Sequence, residues 1–433
     1  MNKKPKAFLF YQYLGGASTI KEHVDAIIAS RKIDVIPIQV FGKIYFDLDD
    51  VDIIFIHYSI CMFNESYLSS SSCEKIKLFK GLKACFIQDE YRFIDKTVNK
   101  IKDLGIDILF TCVPESEFEK VYPKLKLPNL RLVNVLTGYV PDFFRDIKSS
   151  PSYEERNLDV VFRARPLPFS LGELAQEKDK IAKIFLEKGH MFHMNMNIST
   201  REQDRIYGKK WLRFLMNSKA CLGTESGASV FDFTGEIDKK IQIYLEKNPK
   251  ASFEDVQKKF LLDHEKKIKL NQISPRAFEA AACRTMMVLY EGEYSGILKK
   301  WKHYIPLLKD HSNLDQVMKA IKDKKTYELI TEQAYNDIIL NSKYSYVKFT
   351  NIVEHTVMEE ILKVDQIEQS YLERKRNLIN SQTILIHKII TFIKFSYIFV
   401  KEFFYKFIFG FILKKLSIEK TKKIKRFLKK IIK

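Results

Sequence analysis

Residues 273–289, with the sequence ISPRAFEAAACRTMMVL, predict a helix that leads directly into a buried strand. Ser274 is suited to cap the helix, and Pro275 fits its first turn because a backbone N–H is not needed there. The small residues that follow allow close packing, and the apolar run at the end of the segment is typical of a strand. A helix followed at once by a buried strand is the repeating unit of an α/β domain.

The start of this helix carries two residues with functional chemistry. Arg276 and Glu279 stand three positions apart and therefore share one face. A carboxylate in such a place can accept hydrogen bonds from both hydroxyls of a ribose, and an arginine beside helix-start amides suits a phosphate. The alternative interpretation is an intrahelical ion pair on a solvated face.

The same alternation extends along the chain in both directions. Short apolar runs rich in β-branched residues alternate with helical patterns, and continuous apolar runs are typical of strands buried on both faces of a parallel sheet. In the first third, these runs lie at residues 7–12, 34–38, 52–56, 84–87, 107–111 and 131–135. A polar stretch interrupts the pattern at residues 141–156, and a second α/β set starts at residue 158. We predict an α/β fold with two Rossmann-like, doubly wound domains that face a cleft.

These composition shifts also predict the domain boundaries. The first domain covers residues 1–148 and the second covers residues 156–345, with a charged helical insertion at residues 235–270. A helical connection follows at residues 346–382, and a basic amphipathic helical tail occupies residues 383–433.

The positive charge of the chain lies mostly at its end. The 433 residues carry a formal net charge of +19, but residues 371–433 hold 17 Lys or Arg against 3 acids. The remaining residues have a net charge of only +5, since they hold 56 basic and 51 acidic side chains. We therefore expect no nucleic-acid partner.

The tail has the pattern of a helix that lies in a membrane surface. Its longest run without charge is seven residues, residues 407–413, whereas about 20 are needed to cross a bilayer. Lys388, Thr391 and Lys394 fall on one helical face, and Ile389 and Ile393 on the opposite one. An apolar face beside many lysines predicts attachment to an anionic membrane surface. The alternative is a helix that packs on the body or on another subunit.

The expected location is the cytoplasm, at the inner face of the cell membrane. The six cysteines are scattered without paired spacing, which is typical of reduced thiols. The first residues place only a short apolar run after their charges, unlike the longer apolar core of a signal peptide.

The run over residues 278–288 resembles the donor-binding helix of GT-B fold glycosyltransferases, in which a Glu-Ala-x-Ala-x-Gly-x-x-x-Val pattern recurs. Over residues 6–345 the chain resembles bacterial GT-B glycosyltransferases of surface-polysaccharide synthesis, such as those that make lipopolysaccharide or capsule. The further segments that carry this resemblance lie at residues 88–92, 110–114, 136–141 and 303–310. The resemblance also implies a donor loop at residues 222–229. Two positions depart from the pattern: Arg284 replaces a glycine, and Asn271 stands where retaining members have a second Glu.

The resemblance implies a hexosyltransferase that moves a sugar from a nucleotide-sugar donor to a glycan or lipid-linked acceptor. Glu279 would hold the ribose of the donor and Arg276 would approach its diphosphate. The donor-binding residues implied in this way are Arg163, Arg165, Glu225, Ser226, Arg276 and Glu279. Arg163 and Arg165 would neutralise the leaving diphosphate, so we expect neither a metal nor another cofactor. The two departures keep open a non-catalytic carbohydrate- or partner-binding protein that retains the fold.

An inverting transfer needs a base within hydrogen-bond reach of the attacking hydroxyl. Asp89, Glu90 and His23 are the candidates, because each lies at or beyond the end of a predicted strand in the first domain. The alternative for each is a helix cap or a satisfied structural group.

Overall fold

The computed structural model of the protein describes residues 4–15, 18–147, 150–372, 387–394 and 396, with the side chains of 364–372 left out. The first domain contains a parallel sheet of six strands in the order β2-β1-β3-β4-β5-β6. These strands are β1 (Lys6–Tyr11), β2 (Asp34–Gln39), β3 (Ile53–Ile56), β4 (Leu82–Ile87), β5 (Ile108–Thr111) and β6 (Arg131–Asn134). Their helices are α1 (Ser18–Ile28), α2 (Ser70–Leu78), α3 (Ile94–Leu104) and α4 (Phe118–Val121).

The second domain contains a parallel sheet of five strands in the order β13-β12-β9-β7-β8, and a separate antiparallel pair, β10-β11. These strands are β7 (Leu158–Arg163), β8 (Met196–Ser199), β9 (Ser218–Gly223), β10 (Ser226–Ala228), β11 (Leu270–Gln272), β12 (Met286–Tyr290) and β13 (Ile305–Leu307). The helices are α5 (Glu173–Lys188), α6 (Gly208–Met216), α7 (Glu236–Lys247), α8 (Phe253–Val256), α9 (Pro275–Ala282), α10 (Leu314–Lys322), α11 (Lys324–Ala334) and α12 (Tyr346–Leu372). The predicted α/β fold is confirmed.

Both sheets reverse their winding direction at their first strand. β1 lies between β2 and β3, and β7 lies between β8 and β9. In an open parallel sheet, the loops that leave two adjacent strands at such a reversal diverge and leave a crevice at the carboxyl ends. The reversal at β7 and β9 therefore marks the place where a ligand of the second domain is expected.

The last long helix returns to the first domain. The chain passes between the two domains near Val140 and again near Tyr344. These two crossings are hydrogen-bonded to each other, since the Val140 N–H donates to the Tyr344 carbonyl at 2.7 Å. Phe349, Val353 and Val357 of α12 are then buried in the same apolar cluster as β1. Glu354 of α12 accepts a hydrogen bond from the Ser30 hydroxyl at 2.7 Å. The segment predicted as a helical connection thus completes the core of the first domain.

The segment around the predicted insertion also contacts the first domain. The N–H of Asp232 donates to the Tyr91 carbonyl at 2.9 Å, and the Phe93 N–H donates to the Asp232 carbonyl at 2.8 Å. Ile268 and Leu270 are buried in an apolar cluster formed mainly by the first domain. The two domains are consequently joined at this segment as well as at the two chain crossings.

Most of the predicted tail lies outside the described residues; residues 387–394 and 396 are helical. None of the described helices combines the length and the apolar character needed to cross a bilayer.

Arg284 stands at the position where the GT-B pattern has glycine. Its backbone φ is 47°, in the left-handed region that glycine adopts at no steric cost. The side chain is held in place on the surface of the domain, 3.8 Å from the ring centroid of Tyr335 and 3.2 Å from the carboxylate of Glu332.

We expect Arg284→Gly to be more stable than Arg284→Ala. Both variants lose the guanidinium contacts, so the comparison isolates the steric effect of a Cβ atom in the left-handed conformation, which is about 1 kcal/mol. Urea titrations of the two variants measure this difference in the free energy of unfolding. An alanine variant of equal or greater stability would contradict the assignment of strain to this residue.

Candidate functional site

A cleft of 330 Å³ lies at the carboxyl ends of β7 and β9, where the winding of the second sheet reverses. Its floor includes Ala164 and Arg165 after β7, and Gly223 and Thr224 at the end of β9. The start of α9 and two residues of the first domain, Asp89 and Tyr91, also line it. The cleft therefore lies between the two domains.

The cleft is strongly cationic. Among the described residues that line it, four carry positive charge (Arg165, Lys178, Arg205 and Arg276) and one, Asp89, is acidic. These cations come from four different segments of the second domain, and like charges at close range repel each other more strongly as the effective dielectric constant falls. A bound polyanion would relieve this repulsion, so the arrangement is suited to a diphosphate.

Lys178 shows the effect of this crowding. Partial burial, together with the positive charges of Arg276 and Arg165, lowers its pKa to about 8, and Asp89 opposes the shift. An anion bound beside the ammonium group would favour its charged form.

Arg276 and Glu279 of α9 and Trp211 of α6 form a connected group. Ser274 caps the helix by accepting from the Arg276 N–H, and Pro275 occupies the first turn. The indole N–H of Trp211 donates to Oε2 of Glu279 at 2.6 Å, and the guanidinium of Arg276 lies 5.5 Å from the centroid of the same Trp ring. Burial raises the pKa of Glu279 to about 7, while Trp211 and Arg276 oppose this rise.

The six predicted donor-binding residues fall into two groups. Arg165, Ser226 and Arg276 line the cleft, and Glu279 lies one turn beyond Arg276 on the same helix. Arg163 and Glu225 are instead buried in hydrogen bonds with the protein.

The guanidinium of Arg163 donates to the Asn197 carbonyl at 2.8 Å and to the Asp204 carbonyl at 3.0 Å. Glu225 accepts from the N–H groups of Glu293 and Tyr294, each at 2.8 Å, and from the Asn271 amide at 2.7 Å. In this structure, both residues shape the loops around the cleft.

The three candidate bases lie in different environments. Asp89 lines the cleft and accepts from the Tyr91 hydroxyl at 3.0 Å. Glu90 is buried and accepts from the Tyr122 hydroxyl at 2.6 Å, and burial raises its pKa to about 8. His23 is buried too, with Nδ1 3.0 Å from Nε2 of His57, and burial lowers its pKa. Asp89 is the one of the three that lines the cleft.

Sequence reasoning missed two of the four cleft cations, Lys178 and Arg205. Lys178 had a detectable signal, because Leu174, Ala175, Ile181 and Ala182 place it in the middle of the buried face of α5. A lysine at the centre of an apolar stripe needs a functional or structural partner. Arg205 follows β8 in a polar loop, and its local sequence carries no comparable signal.

The described residues contain no cluster of three or more His, Cys, Asp or Glu side chains arranged to hold a metal ion. The expectation of a reaction without metal or cofactor remains a prediction.

No protein-family profile matches the chain, and no curated protein matches it at a significant level. Solved structures do match. An alpha-glucosyltransferase in complex with UDP and a 13-mer DNA containing a HMU base has a TM-score of 0.50 at 12% identity, over 82% of this chain and 100% of that chain. The alpha-glucosyltransferase with UDP-glucose and DNA containing an abasic site gives 0.51 at 12%, over 82% and 99%. HepE from Anabaena in complex with UDP gives 0.45 at 10%, over 82% and 100%.

At these identities the likeness shows the fold alone. The first two of these structures establish that the chain has the fold of GT-B glycosyltransferases. The surface-polysaccharide type stays a prediction.

The expectation of no nucleic-acid partner was wrong. Both alpha-glucosyltransferase structures hold DNA, and the match covers nearly all of each of those chains. A low net charge averaged over a domain does not exclude such a partner, because a nucleic acid responds to the local potential of a surface.

The crowding of Lys178 predicts a pH dependence of anion binding. The parent should bind pyrophosphate more tightly than Lys178→Met does. Between about pH 7 and about pH 9, the ratio of the two affinities should fall by up to about tenfold, because a lysine with a pKa of about 8 loses its proton. Calorimetric titration of both proteins measures this ratio, in which the ionisation of pyrophosphate itself cancels. A ratio that stays constant with pH would contradict the shifted pKa.

Proposed function

We propose that this chain is a glycosyltransferase that uses a nucleotide-sugar donor. The observation that carries the proposal is the cationic cleft at the winding reversal of the second sheet, inside a GT-B fold. UDP and UDP-glucose are the ligands of the two alpha-glucosyltransferases with this fold, so a UDP-sugar is the first donor to test.

The cleft cations would act on the leaving group. When the bond between the sugar and the donor phosphate breaks, negative charge grows on the diphosphate. Arg165, Lys178, Arg205 and Arg276 surround the space in which that charge would develop. Fixed positive charges in a partly desolvated cleft stabilise such a transition state and need no reorganisation when the bond breaks. This arrangement supports leaving-group stabilisation by side chains of the protein.

Glu279 would bind the ribose of the donor. Its Oε2 already accepts from the indole N–H of Trp211, which leaves Oε1 and the second lone pair of Oε2 for sugar hydroxyls. Arg276, one turn away, would hold the adjacent phosphate, and its contact with the same indole keeps the two side chains in a fixed relation.

The acceptor would approach from the first domain. Asp89 is the proposed base for its hydroxyl because it is the carboxylate of the first domain among the described residues that line the cleft. We propose a glycan or lipid-linked acceptor in bacterial cell-surface polysaccharide synthesis, and a DNA acceptor belongs in the same assay panel because both alpha-glucosyltransferases were solved with DNA.

A thermal-shift panel of UDP-, GDP-, ADP- and CMP-sugars tests donor binding. One donor present at about 100 times its Kd should add about 2.7 kcal/mol of stability. Arg276→Met should weaken the binding of that donor about 30-fold, since a hydrogen bond to a charged group contributes about 2 kcal/mol. Arg201→Met is the matched control, because Arg201 pairs with Asp204 outside the cleft.

Transfer is then measured with radiolabelled donor and the acceptor panel. A chain that binds no nucleotide sugar contradicts the proposal outright. A chain that binds one, but neither hydrolyses nor transfers it with any acceptor, is the non-catalytic binding protein instead.

Trp211→Phe should separate the packing of the indole ring from the hydrogen bond that its N–H donates to Glu279. The phenyl ring keeps the packing but not the N–H, so the pKa of Glu279 should rise above about 7. At about pH 7 we expect the KM for the donor to increase several-fold with little change in kcat, because fewer molecules carry the ionised carboxylate. At about pH 9 both proteins are ionised at this position and the difference should narrow. A KM difference that does not depend on pH would contradict the role of the N–H.

A further inference from the structure

The described part of the tail contacts the body through its polar side. Nε2 of His387, which is buried, donates to the Gln39 carbonyl at the end of β2, at 3.0 Å. Lys394, two turns later, donates to the Tyr45 hydroxyl at 3.2 Å and to the Phe41 carbonyl at 3.4 Å. Thr391, buried between them, lies on the same side. This helix is therefore held on the edge of the first domain by hydrogen bonds.

Its apolar side points away from the body. The exposed fractions are 50% for Ile389, 69% for Phe392 and 61% for Ile393, and Lys388 beside them is exposed too. A helix on a globular protein normally buries its apolar stripe and exposes its polar one, so this orientation is the reverse of the usual one. We call these three residues the outer face.

The chemistry of the surrounding sequence identifies what would cover the outer face. Residues 371–433 carry 17 basic and 3 acidic side chains, so the covering surface should be anionic. It should also take up aliphatic groups. Two of the three outer-face residues are isoleucines, which offer no flat ring for a base to stack on, and this disfavours a single-stranded nucleic acid. An anionic lipid bilayer provides both properties.

We propose that Ile389, Phe392 and Ile393 insert into an anionic bilayer and hold the β2 edge of the first domain against it. Basic side chains of residues 371–433 add electrostatic attraction to the anionic headgroups, and added salt weakens this attraction. The attachment is reversible because the segment lies on the membrane surface. This inference does not depend on the proposed sugar transfer.

Vesicle co-sedimentation of the full chain tests the proposal. The parent should bind vesicles of phosphatidylcholine mixed with phosphatidylglycerol, bind pure phosphatidylcholine more weakly, and lose affinity with added salt. The triple variant Ile389→Ser, Phe392→Ser, Ile393→Ser should bind the anionic vesicles about 100-fold more weakly, from the apolar area it no longer buries. The matched control replaces three exposed leucines of the body, Leu125, Leu186 and Leu329, with serine and should bind as the parent does.

Phe392→Trp gives a second readout that does not depend on a loss of binding. Its added fluorescence, relative to the parent with its two tryptophans, should shift to shorter wavelength on anionic vesicles and be quenched by brominated lipid. Leu125→Trp should show neither change. Circular dichroism and melting curves confirm that all variants are folded.

Any of four results would overturn the proposal. The triple variant could bind anionic vesicles as tightly as the parent, or the added fluorescence of Phe392→Trp could escape quenching by brominated lipid. Sizing without vesicles could show a dimer that the triple variant dissociates, which would assign the outer face to a second copy of the chain. Binding to DNA but not to anionic vesicles would assign the basic segment to a nucleic acid.

Discussion

Four positive charges that face one interdomain cleft are the constraint on which this account depends. Among the described residues that line the cleft, a single carboxylate, Asp89, offsets them. Burial, and after it the charges of Arg276 and Arg165, lower the pKa of Lys178, so its charged form has an electrostatic cost in the cleft. A globular protein keeps such an arrangement where an anionic ligand completes it. The strand reversal places this charge at the carboxyl ends of β7 and β9, and Asp89 of the first domain shares the lining of the cleft.

The sequence was sufficient for the fold because hydrophobic patterns and helix signals act locally. The Ser274-Pro275 start of α9 is where capping chemistry predicts it, and β2 and β3 lie within one residue of the runs predicted at residues 34–38 and 52–56. Periodicity does not set the start of β8 at Met196, since a 3-10 turn over Gly189–Phe192 separates this strand from α5. That turn depends on tertiary packing, which periodicity does not report.

The site was harder to predict, because a side chain can serve a ligand or the protein itself and the sequence does not distinguish them. Arg163 and Arg165 are two residues apart, yet the first donates to backbone carbonyls and the second lines the cleft. Arg163 is the last residue of β7 and Arg165 follows it by two positions. The alternation of side chains along an extended segment places both on the same face, so it does not distinguish their roles. Lys178 could have been found from the apolar residues around it, whereas Arg205 reaches the cleft from a loop whose path only the folded chain defines.

The most direct test of the central claim is a crystal structure of the chain with UDP bound. The account predicts the diphosphate within about 3 Å of the guanidinium of Arg276 and of at least one other cleft cation, with a ribose hydroxyl on Glu279. The uridine would lie against the second domain. A nucleotide bound outside the cleft, or inside it with its phosphates turned away from these cations, would contradict the account.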